Sequence, residues 1–260
     1  MHQKYTYILL ERFKSGGTTF VQHIVYLILN SGIPVLPNER LNDLFPHLEE
    51  VGKEFIEKQA NKDGKRLIKT HLPYQMTPQS SKAKYIFVSR NPKDCVVSFF
   101  HHTRGFPKHY GFADGDFDVY FNLFIDGMVD FGSYFTMLRS WFDHKDDDNV
   151  LFLTYEALRC NTRETILSIA KFINMDYYHK LLEQDEHILD EVLKHSSLEC
   201  MKQNPIRWCS ERPSEQTPFI RNGGVGSWGE ILTSTQVAIL DNMMKKAFTE
   251  DELALLGEKY

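Results

Sequence analysis

The 260-residue chain lacks the features that mark secreted proteins and proteins that coat nucleic acid. Its four cysteines, Cys95, Cys160, Cys200 and Cys209, form no C-x-x-C pair and stand at no zinc-ligand spacing, and no Asn-x-Ser/Thr sequon occurs. Unpaired cysteines in a chain of this length are typical of a reducing compartment. The formal net charge of −5 argues against broad binding of nucleic acid.

Long hydrophobic runs are also lacking. The longest apolar stretch near the N-terminus, Phe20–Leu29, is too short to span a membrane and contains Gln22 and His23. The first seven residues contain no apolar signal core. The 42% of apolar residues nevertheless provide enough surface for a folded core. We therefore expect a soluble, cytoplasmic protein that does not bind a membrane.

Short β-prone segments alternate with helical patterns along the chain. The patterns predict strands over residues 7–10, 66–69, 84–88 and 150–154, and helices over 18–29, 92–98, 117–129, 133–142, 161–173, 177–194 and 234–257. Residues 105–116 and 203–227 have the composition of loops. No repeat, low-complexity tract or linker interrupts this order. The alternation predicts a single α/β domain over residues 1–260, with a central, mainly parallel β-sheet flanked by helices.

Polar clusters follow three of the predicted strands. They are the glycine loop Lys14–Thr19, the segment Lys69–His71 and the pair Ser89-Arg90. In an open parallel sheet, ligands bind beyond the carboxyl ends of the strands. A glycine loop that leads into a helix offers N–H groups to an anion, and each cluster adds a lysine or an arginine. The sequence therefore predicts a site for a ligand that carries several phosphates or similar oxyanions.

The glycine loop is not a Walker A motif. That motif places a lysine directly after its last glycine, in the pattern G-x-x-x-x-G-K-[ST]. Here Lys14 precedes the glycines, and Thr18 follows Gly17. This order argues against an NTPase, and it leaves a P-loop kinase acting on a small molecule as a secondary alternative.

Six stretches resemble the motifs of the cytosolic sulfotransferases, and they occur in that family's order. They are Phe13–Phe20 (family Y-P-K-S-G-T-T-W), Lys69–Pro73 (K-T-H-L-P), Arg90–Ser98 (R-N-P-K-D-x-x-x-S), Thr154–Glu156 (T-Y-E), Ser197–Pro205 (S-F-x-x-M-K-x-N-P) and Phe219–Trp228 (F-x-R-K-G-x-x-G-D-W). The matches span nearly the whole chain. The sequence is thus similar to a divergent family member with a P-loop-like phosphosulfate-binding loop.

The resemblance implies sulfuryl transfer from 3′-phosphoadenosine 5′-phosphosulfate (PAPS) to a hydroxyl or amine of a small phenol, alcohol, steroid or biogenic amine. The product of the donor is 3′-phosphoadenosine 5′-phosphate (PAP). His71 is the implied general base, a role that suits an imidazole near neutral pH. Lys69 and Lys14 are the implied catalytic cations. No metal is implied, because fixed cations and N–H donors supply the electrostatics.

The resemblance also implies which residues hold the donor and the acceptor. The implied cofactor-binding residues are Ser15, Gly16, Gly17, Thr18, Thr19, Phe20, Arg90, Ser98, Tyr155, Ser196, Leu198, Met201, Arg221, Asn222 and Gly223. Among them, Arg90, Ser98 and Arg221 are implied to hold the 3′-phosphate. Phe106 and Tyr110 are expected to contact the acceptor.

The glycine loop departs from the family pattern. One alignment places Ser15 on the family's loop lysine, and a one-residue insertion would place Lys14 there instead. A missing lysine would favour a member that binds PAPS or PAP with weak or lost activity. Elsewhere, Phe20 replaces a tryptophan and Asn222 replaces a lysine. The family's dimer motif retains only Thr233, so both a monomer and a homodimer stay open.

Overall fold

The chain forms an α/β fold around a parallel sheet, as the sequence predicts. A computed structural model describes residues 6–10, 17–58, 66–203, 205–208, 218–221 and 223–257. Its strands are β1 (Thr6–Leu10), β2 (Arg66–Thr70), β3 (Ala83–Ser89) and β4 (Val150–Thr154). They pair in the order β2-β1-β3-β4, and every pairing among them is parallel.

Fourteen α-helices occur in the described part of the chain. They are α1 (Gly17–Leu29), α2 (Leu41–Leu44), α3 (Leu48–Lys58), α4 (Pro92–Arg104), α5 (Pro107–Tyr110), α6 (Phe117–Ile125), α7 (Tyr134–Phe142), α8 (Tyr155–Cys160), α9 (Thr162–Ile173), α10 (Met175–Leu182), α11 (His187–Ser196), α12 (Leu198–Lys202), α13 (Ser234–Ala247) and α14 (Glu250–Leu255). None of the described helices is long and apolar enough to cross a membrane.

The helices cover both faces of the sheet. Successive side chains of a strand point to opposite faces, so β3 contributes to two cores. Ile86 and Val88 pack in the core that contains α1, α9 and α11. Tyr85 and Phe87 belong to the core that contains α4, α6, α7 and α13, where Phe87 stacks on the fully buried Trp141 at 5.4 Å between ring centroids. Packing on both faces fixes the position of the sheet, and with it the end of the sheet at which the carboxyl ends of the strands lie.

Two predicted helices are each divided in two. The pattern over 177–194 predicts one helix, but Asp185 and Glu186 adopt left-handed φ angles of 56° and 64° and separate α10 from α11. The pattern over 234–257 is interrupted where Thr249 caps α14 in a capping box with Glu252. The predicted loop over 105–116 also contains the short helix α5. Apolar spacing continues through these breaks, so periodicity alone did not reveal them.

Candidate functional site

A cleft lies beyond the carboxyl ends of β3 and β4. Several predicted cofactor-binding residues line it together, namely Thr19, Phe20, Arg90, Ser98, Tyr155, Leu198, Met201, Arg221 and Gly223. Arg159, Phe219, Ile220, Gly224 and Ser227 complete the described lining. Residues from α1, α4, α8, α12 and the segment after residue 217 thus meet at one sheet edge, as parallel strand topology requires of a ligand site.

The cleft is strongly cationic. Arg90, Arg159 and Arg221 line it, and no aspartate or glutamate stands among the described lining residues. Burial lowers the pKa of Arg221, and the positive charge of Arg90 lowers it further. Half-buried guanidinium groups that repel each other are stabilised when an anion lies between them. This electrostatic arrangement favours a phosphorylated ligand.

Two contacts orient the Arg90 side chain, which is only 6% exposed. Its Nη2 atom donates to the carbonyl oxygen of Gly224 at 3.2 Å. Its guanidinium lies over the ring of Tyr155, 4.4 Å from the centroid. The hydroxyl of Tyr155 in turn donates to the carbonyl oxygen of Gly223 at 3.0 Å. The ends of β3 and β4 therefore fasten the segment at Gly223 and Gly224 across the cleft.

Acidic residues of two motifs hold the backbone around the cleft. Asp94 is buried and accepts hydrogen bonds from the backbone N–H groups of Gly226, at 2.7 Å, and Trp228, at 3.2 Å. The Asn91 side chain caps α4, and Glu156 accepts from the Asn91 backbone N–H at 2.9 Å. Burial raises the pKa of Glu156. These residues thus shape the site without lining it.

Aromatic rings form the other wall of the cleft. Phe20 is 4% exposed, and the Arg159 guanidinium lies 5.3 Å from its ring centroid. Tyr155 and Phe219 add two further rings to the lining. Aromatic side chains of this kind stack on nucleobases. Sequence reasoning missed Arg159, although it lies four residues after Tyr155 on α8, the spacing that places two side chains on one helix face.

Several predicted cofactor residues lie outside this lining. Gly17 begins α1, and Thr18 is buried in its first turn. Ser196 is 1% exposed and donates to the carbonyl oxygen of Leu193 at 3.3 Å, so the structure gives its hydroxyl a local partner. Lys14, Ser15, Gly16 and Asn222 fall outside the described residues, and the predictions for them stay predictions.

Gly223 is closely packed in the cleft wall. Its φ angle is +58°, and a Cβ atom added there would lie 2.7 Å from Cδ1 of Leu198. We expect Gly223→Ala to lower the free energy of unfolding by about 1–2 kcal/mol, the cost of a left-handed alanine, and to weaken nucleotide binding as well. Denaturant unfolding checks the first effect and calorimetry the second. Gly224→Ala is the matched control, since its added Cβ meets nothing within 4 Å.

His71 and Lys69 lie in a second part of the site, at the end of β2. His71 is 1% exposed, and its backbone N–H donates to Oε1 of Glu49 at 2.5 Å. The hydroxyl of Thr70 donates to the same oxygen at 3.0 Å. Glu49 therefore holds in place the segment that carries two of the three predicted catalytic residues, Lys69 and His71. Sequence reasoning missed Glu49, because nothing local in its helix marks a contact 22 residues away.

A second imidazole lies beside His71. The His47 ring is edge-on to that of His71, with the centroids 4.8 Å apart. Its Nε2 atom lies 3.3 Å from Glu49 Oε2, and its Nδ1 atom lies 2.6 Å from Glu50 Oε1. Burial lowers the pKa of His47, but the hydrogen bonds to both glutamates outweigh burial and raise it overall. The pKa of Glu49 is lowered, since hydrogen bonds outweigh its burial.

The raised pKa of His47 predicts a pH-dependent stability. Protonated His47 contributes fully to the stability of the folded protein below about pH 6.5, the pKa of an unfolded histidine. This stabilisation is lost as the pH rises through the raised pKa of His47 in the folded protein. We expect His47→Gln to lower the melting temperature most at pH 6. The difference in melting temperature between the variant and the unchanged protein should narrow toward pH 9. Glu49, with its lowered pKa, stays ionised throughout this range.

Melting curves of both proteins at pH 6, 7.5 and 9 check this expectation. His179→Gln, a change at an exposed histidine of α10, is the control for the loss of an imidazole as such. A melting-temperature difference between His47→Gln and the unchanged protein that stays constant or widens with pH would contradict the proposed ion pairs.

The predicted acceptor residues Tyr110 and Phe106 are connected to His71 through the segment at Asp130 and Phe131. Phe131 contacts the His71 ring, with the centroids 4.7 Å apart. The neighbouring Asp130 accepts a hydrogen bond from the Tyr110 hydroxyl at 2.7 Å. Burial, followed by this hydrogen bond, raises the pKa of Tyr110. Phe106 lies nearby, since His102 contacts it at 4.5 Å and Tyr110 at 6.0 Å between ring centroids.

Comparisons with known proteins identify the family of the chain. Residues 7–252 match the family model described as "Sulfotransferase domain". The chain is 32% identical to sulfotransferase 1B1 of Mus musculus, covering 92% of this chain and 81% of that protein. It is 34% identical to sulfotransferase 2A2 of Mus musculus, covering 92% and 83%. The crystal structure of mouse sulfotransferase SULT7A1 complexed with PAP superposes with a TM-score of 0.77 at 25% identity, covering 98% of this chain and 88% of that one.

The family match confirms the resemblance that the six sequence motifs indicated. It spans far more than half of the chain, and the matched region contains the arginine-lined cleft and the His71 segment. The chain therefore belongs to the sulfotransferase family.

Proposed function

We propose that this sulfotransferase transfers a sulfuryl group from PAPS to a hydroxyl or amine of a small molecule, with His71 as the base. Acceptors of the phenol, alcohol, steroid or biogenic amine class are expected. The observation that carries the proposal is the cleft lined by Arg90, Arg159 and Arg221, which opens at the same sheet edge as His71. Its charge suits a donor with phosphates on both sides of a ribose.

The cleft residues fit the donor in chemistry and in position. Arg90 and Arg221 would bind the 3′-phosphate, and Phe20 and Tyr155 would flank the adenine. Thr19, in the first turn of α1, would bind the 5′-phosphosulfate together with the helix N-terminus. When bound, PAPS supplies an activated sulfuryl group on a good leaving group. Everything else in the reaction is positioning and charge stabilisation by the chain.

His71 would accept the proton of the attacking hydroxyl or amine, as the nucleophile displaces the leaving phosphate in line. Glu49 holds the His71 backbone and Thr70, which limits the directions in which the imidazole can point. Lys69 would stabilise the charge that develops on the leaving oxygen. The glycine loop would add further stabilisation of this charge if Lys14 occupies the position of the family's loop lysine. It would add less if Ser15 occupies that position.

We further infer that residues 1–260 act as one domain in the cytoplasm. The described cysteines Cys95, Cys160 and Cys200 form no disulfide bond, which supports a reducing compartment. Whether the protein is a monomer or a homodimer stays a prediction. Thr233, the remnant of the dimer motif, caps α13 in a capping box with Gln236.

Nucleotide titration tests the proposal against the two alternatives. We expect PAP to bind without Mg²⁺, and Mg²⁺·ATP to bind at least about 100-fold more weakly, because ATP lacks a 3′-phosphate for Arg90 and Arg221. Tight binding of Mg²⁺·ATP with no binding of PAP would instead support the small-molecule kinase.

Tight binding of PAP with no turnover would support the weakened member. Ser15→Lys then separates a missing loop charge from a wrong acceptor. Turnover that appears in this variant would assign the defect to the loop, whereas turnover that stays absent would point to the acceptor.

A further inference from the structure

Cys200, His195 and Glu191 form a chain of contacts outside the reaction centre. The Sγ atom of Cys200, on α12, lies 3.7 Å from Nδ1 of His195, at the end of α11. The Nε2 atom of His195 lies 3.1 Å from Oε2 of Glu191, one helical turn earlier. His195 and Glu191 are 21% and 31% exposed, and Cys200 is half-buried. A thiol, an imidazole and a carboxylate thus follow one another at a surface that solvent reaches.

The carboxylate fixes which imidazole nitrogen carries the proton. An ionised glutamate only accepts hydrogen bonds, so His195 donates from Nε2. The lone pair at Nδ1 then faces the thiol and can take its proton. Hydrogen bonding with Lys194 lowers the pKa of Glu191, and the interaction with His195 lowers it further, so Glu191 is ionised at neutral pH. This is the order of groups that activates a nucleophilic cysteine.

Other charges surround the three residues. Glu199 and Lys202 lie on the same short helix as Cys200, and both are exposed. Burial, followed by the charges of Arg207 and His195, lowers the pKa of the nearby His23 to about 3. Charges of both signs therefore surround the three residues.

Cys200 is coupled to the cleft through its neighbours. Leu198 and Met201, on either side of it in α12, both line the cleft. Leu198 packs directly on Gly223, where an added Cβ would lie 2.7 Å from it. The Cys200 backbone N–H donates to the Ser197 hydroxyl at 3.2 Å, which caps α12. A group attached to Cys200 therefore presses on the helix that forms this wall.

We propose that Cys200 is a thiol modification site that reacts with small disulfides such as oxidised glutathione. The Cys200 thiol gives its proton to His195 Nδ1, and the thiolate attacks one sulfur of the disulfide. One S–S bond breaks while a new one forms to Cys200. The departing thiolate recovers the proton from His195, so two electrons are exchanged between sulfurs and no further oxidant is needed. The attached tripeptide weakens nucleotide binding by displacing α12.

The test compares two thiols of the same chain in a Cys209→Ser background, because Cys209 lies outside the described residues. The protein is incubated with oxidised glutathione at pH 7.5, and adduct formation is followed by peptide mass spectrometry. Cys160, exposed at the end of α8, is the internal control. We expect Cys200 to react at least tenfold faster than Cys160. Equal rates would overturn the proposal.

Two variants test the relay itself. We expect His195→Asn to slow the Cys200 reaction about tenfold and Glu191→Gln to slow it several-fold, each without effect on Cys160. Circular dichroism confirms that each variant is folded, and Glu191→Gln alone decides the matter if His195→Asn does not fold. Unchanged Cys200 rates in a folded variant would contradict the proposed proton transfer.

The coupling between Cys200 and the cleft is measured separately, through the effect of PAP on the Cys200 reaction. It rests on the proposed function, in which the cleft binds PAP. Saturating PAP should slow the Cys200 reaction at least threefold, while Cys160 reacts as before. Absence of this protection in a protein that binds PAP would overturn the coupling. If the protein binds no PAP, the proposed function fails, and the comparison of the two thiols still decides whether Cys200 is the reactive site.

Discussion

Replacing His71 by alanine is expected to lower kcat by about 10²–10⁴-fold, the usual contribution of a positioned general base. The Kd of PAP should change little, because His71 lies at the end of β2 and does not line the described cleft. The backbone contact with Glu49 uses the His71 N–H, so the variant keeps it and the segment stays in place. The measurement is kcat with saturating donor, together with calorimetry of PAP.

A matched change elsewhere guards against a general loss of activity. His179→Ala removes an exposed imidazole on α10 and should leave kcat as it is. The profile of kcat against pH gives a second readout, since removal of the base removes the acid limb of the profile. A His71→Ala protein that keeps a third or more of kcat would show that the proton leaves by another route.

Replacing Arg90 by methionine is expected to weaken PAP binding by about 100-fold. Hydrogen bonds to charged groups contribute about 1.5–3 kcal/mol each, and the guanidinium can donate two to one phosphate. Methionine keeps an apolar body over the Tyr155 ring, which the Arg90 side chain covers in the structure. The effect should depend on the 3′-phosphate alone.

Comparing PAP with adenosine 5′-monophosphate, which lacks the 3′-phosphate, isolates that dependence. Arg90→Met should weaken PAP strongly and the monophosphate only slightly, so that the two ligands bind alike. Arg159→Met is the matched control, because Arg159 lines the same cleft on the side of Phe20 and should weaken both ligands equally. Equal weakening of both ligands by Arg90→Met would show that Arg90 does not bind the 3′-phosphate.

The sequence predicted the parts of the fold and the site that depend on local pattern. The strand at 150–154 follows from a β-prone run and the first helix from its apolar residues; Gly32, with a φ angle of +81°, lies just beyond the end of α1 at Leu29. Arg90 and Tyr155 directly follow strands, so parallel topology brings them to one edge. Their meeting in the cleft was therefore predictable without any knowledge of the loops.

The contacts made over long sequence separations could not be predicted in this way. Glu49 reaches His71 across the edge of the sheet, and Asp94 holds the backbone at Gly226 over 132 residues. Such contacts depend on how a loop folds back, which periodicity does not encode. The break at Asp185 is similar, because a left-handed residue without glycine leaves no compositional mark.

Transfer of ³⁵S from labelled PAPS tests the central claim most directly. The whole protein is incubated without Mg²⁺ with a panel of phenols, alcohols, steroids and biogenic amines, and the labelled products are separated. We predict a labelled sulfate ester or sulfamate with at least one acceptor, formed in proportion to PAP release and abolished in His71→Ala. The account would be contradicted if no acceptor gave a labelled product and the protein also failed to bind PAP.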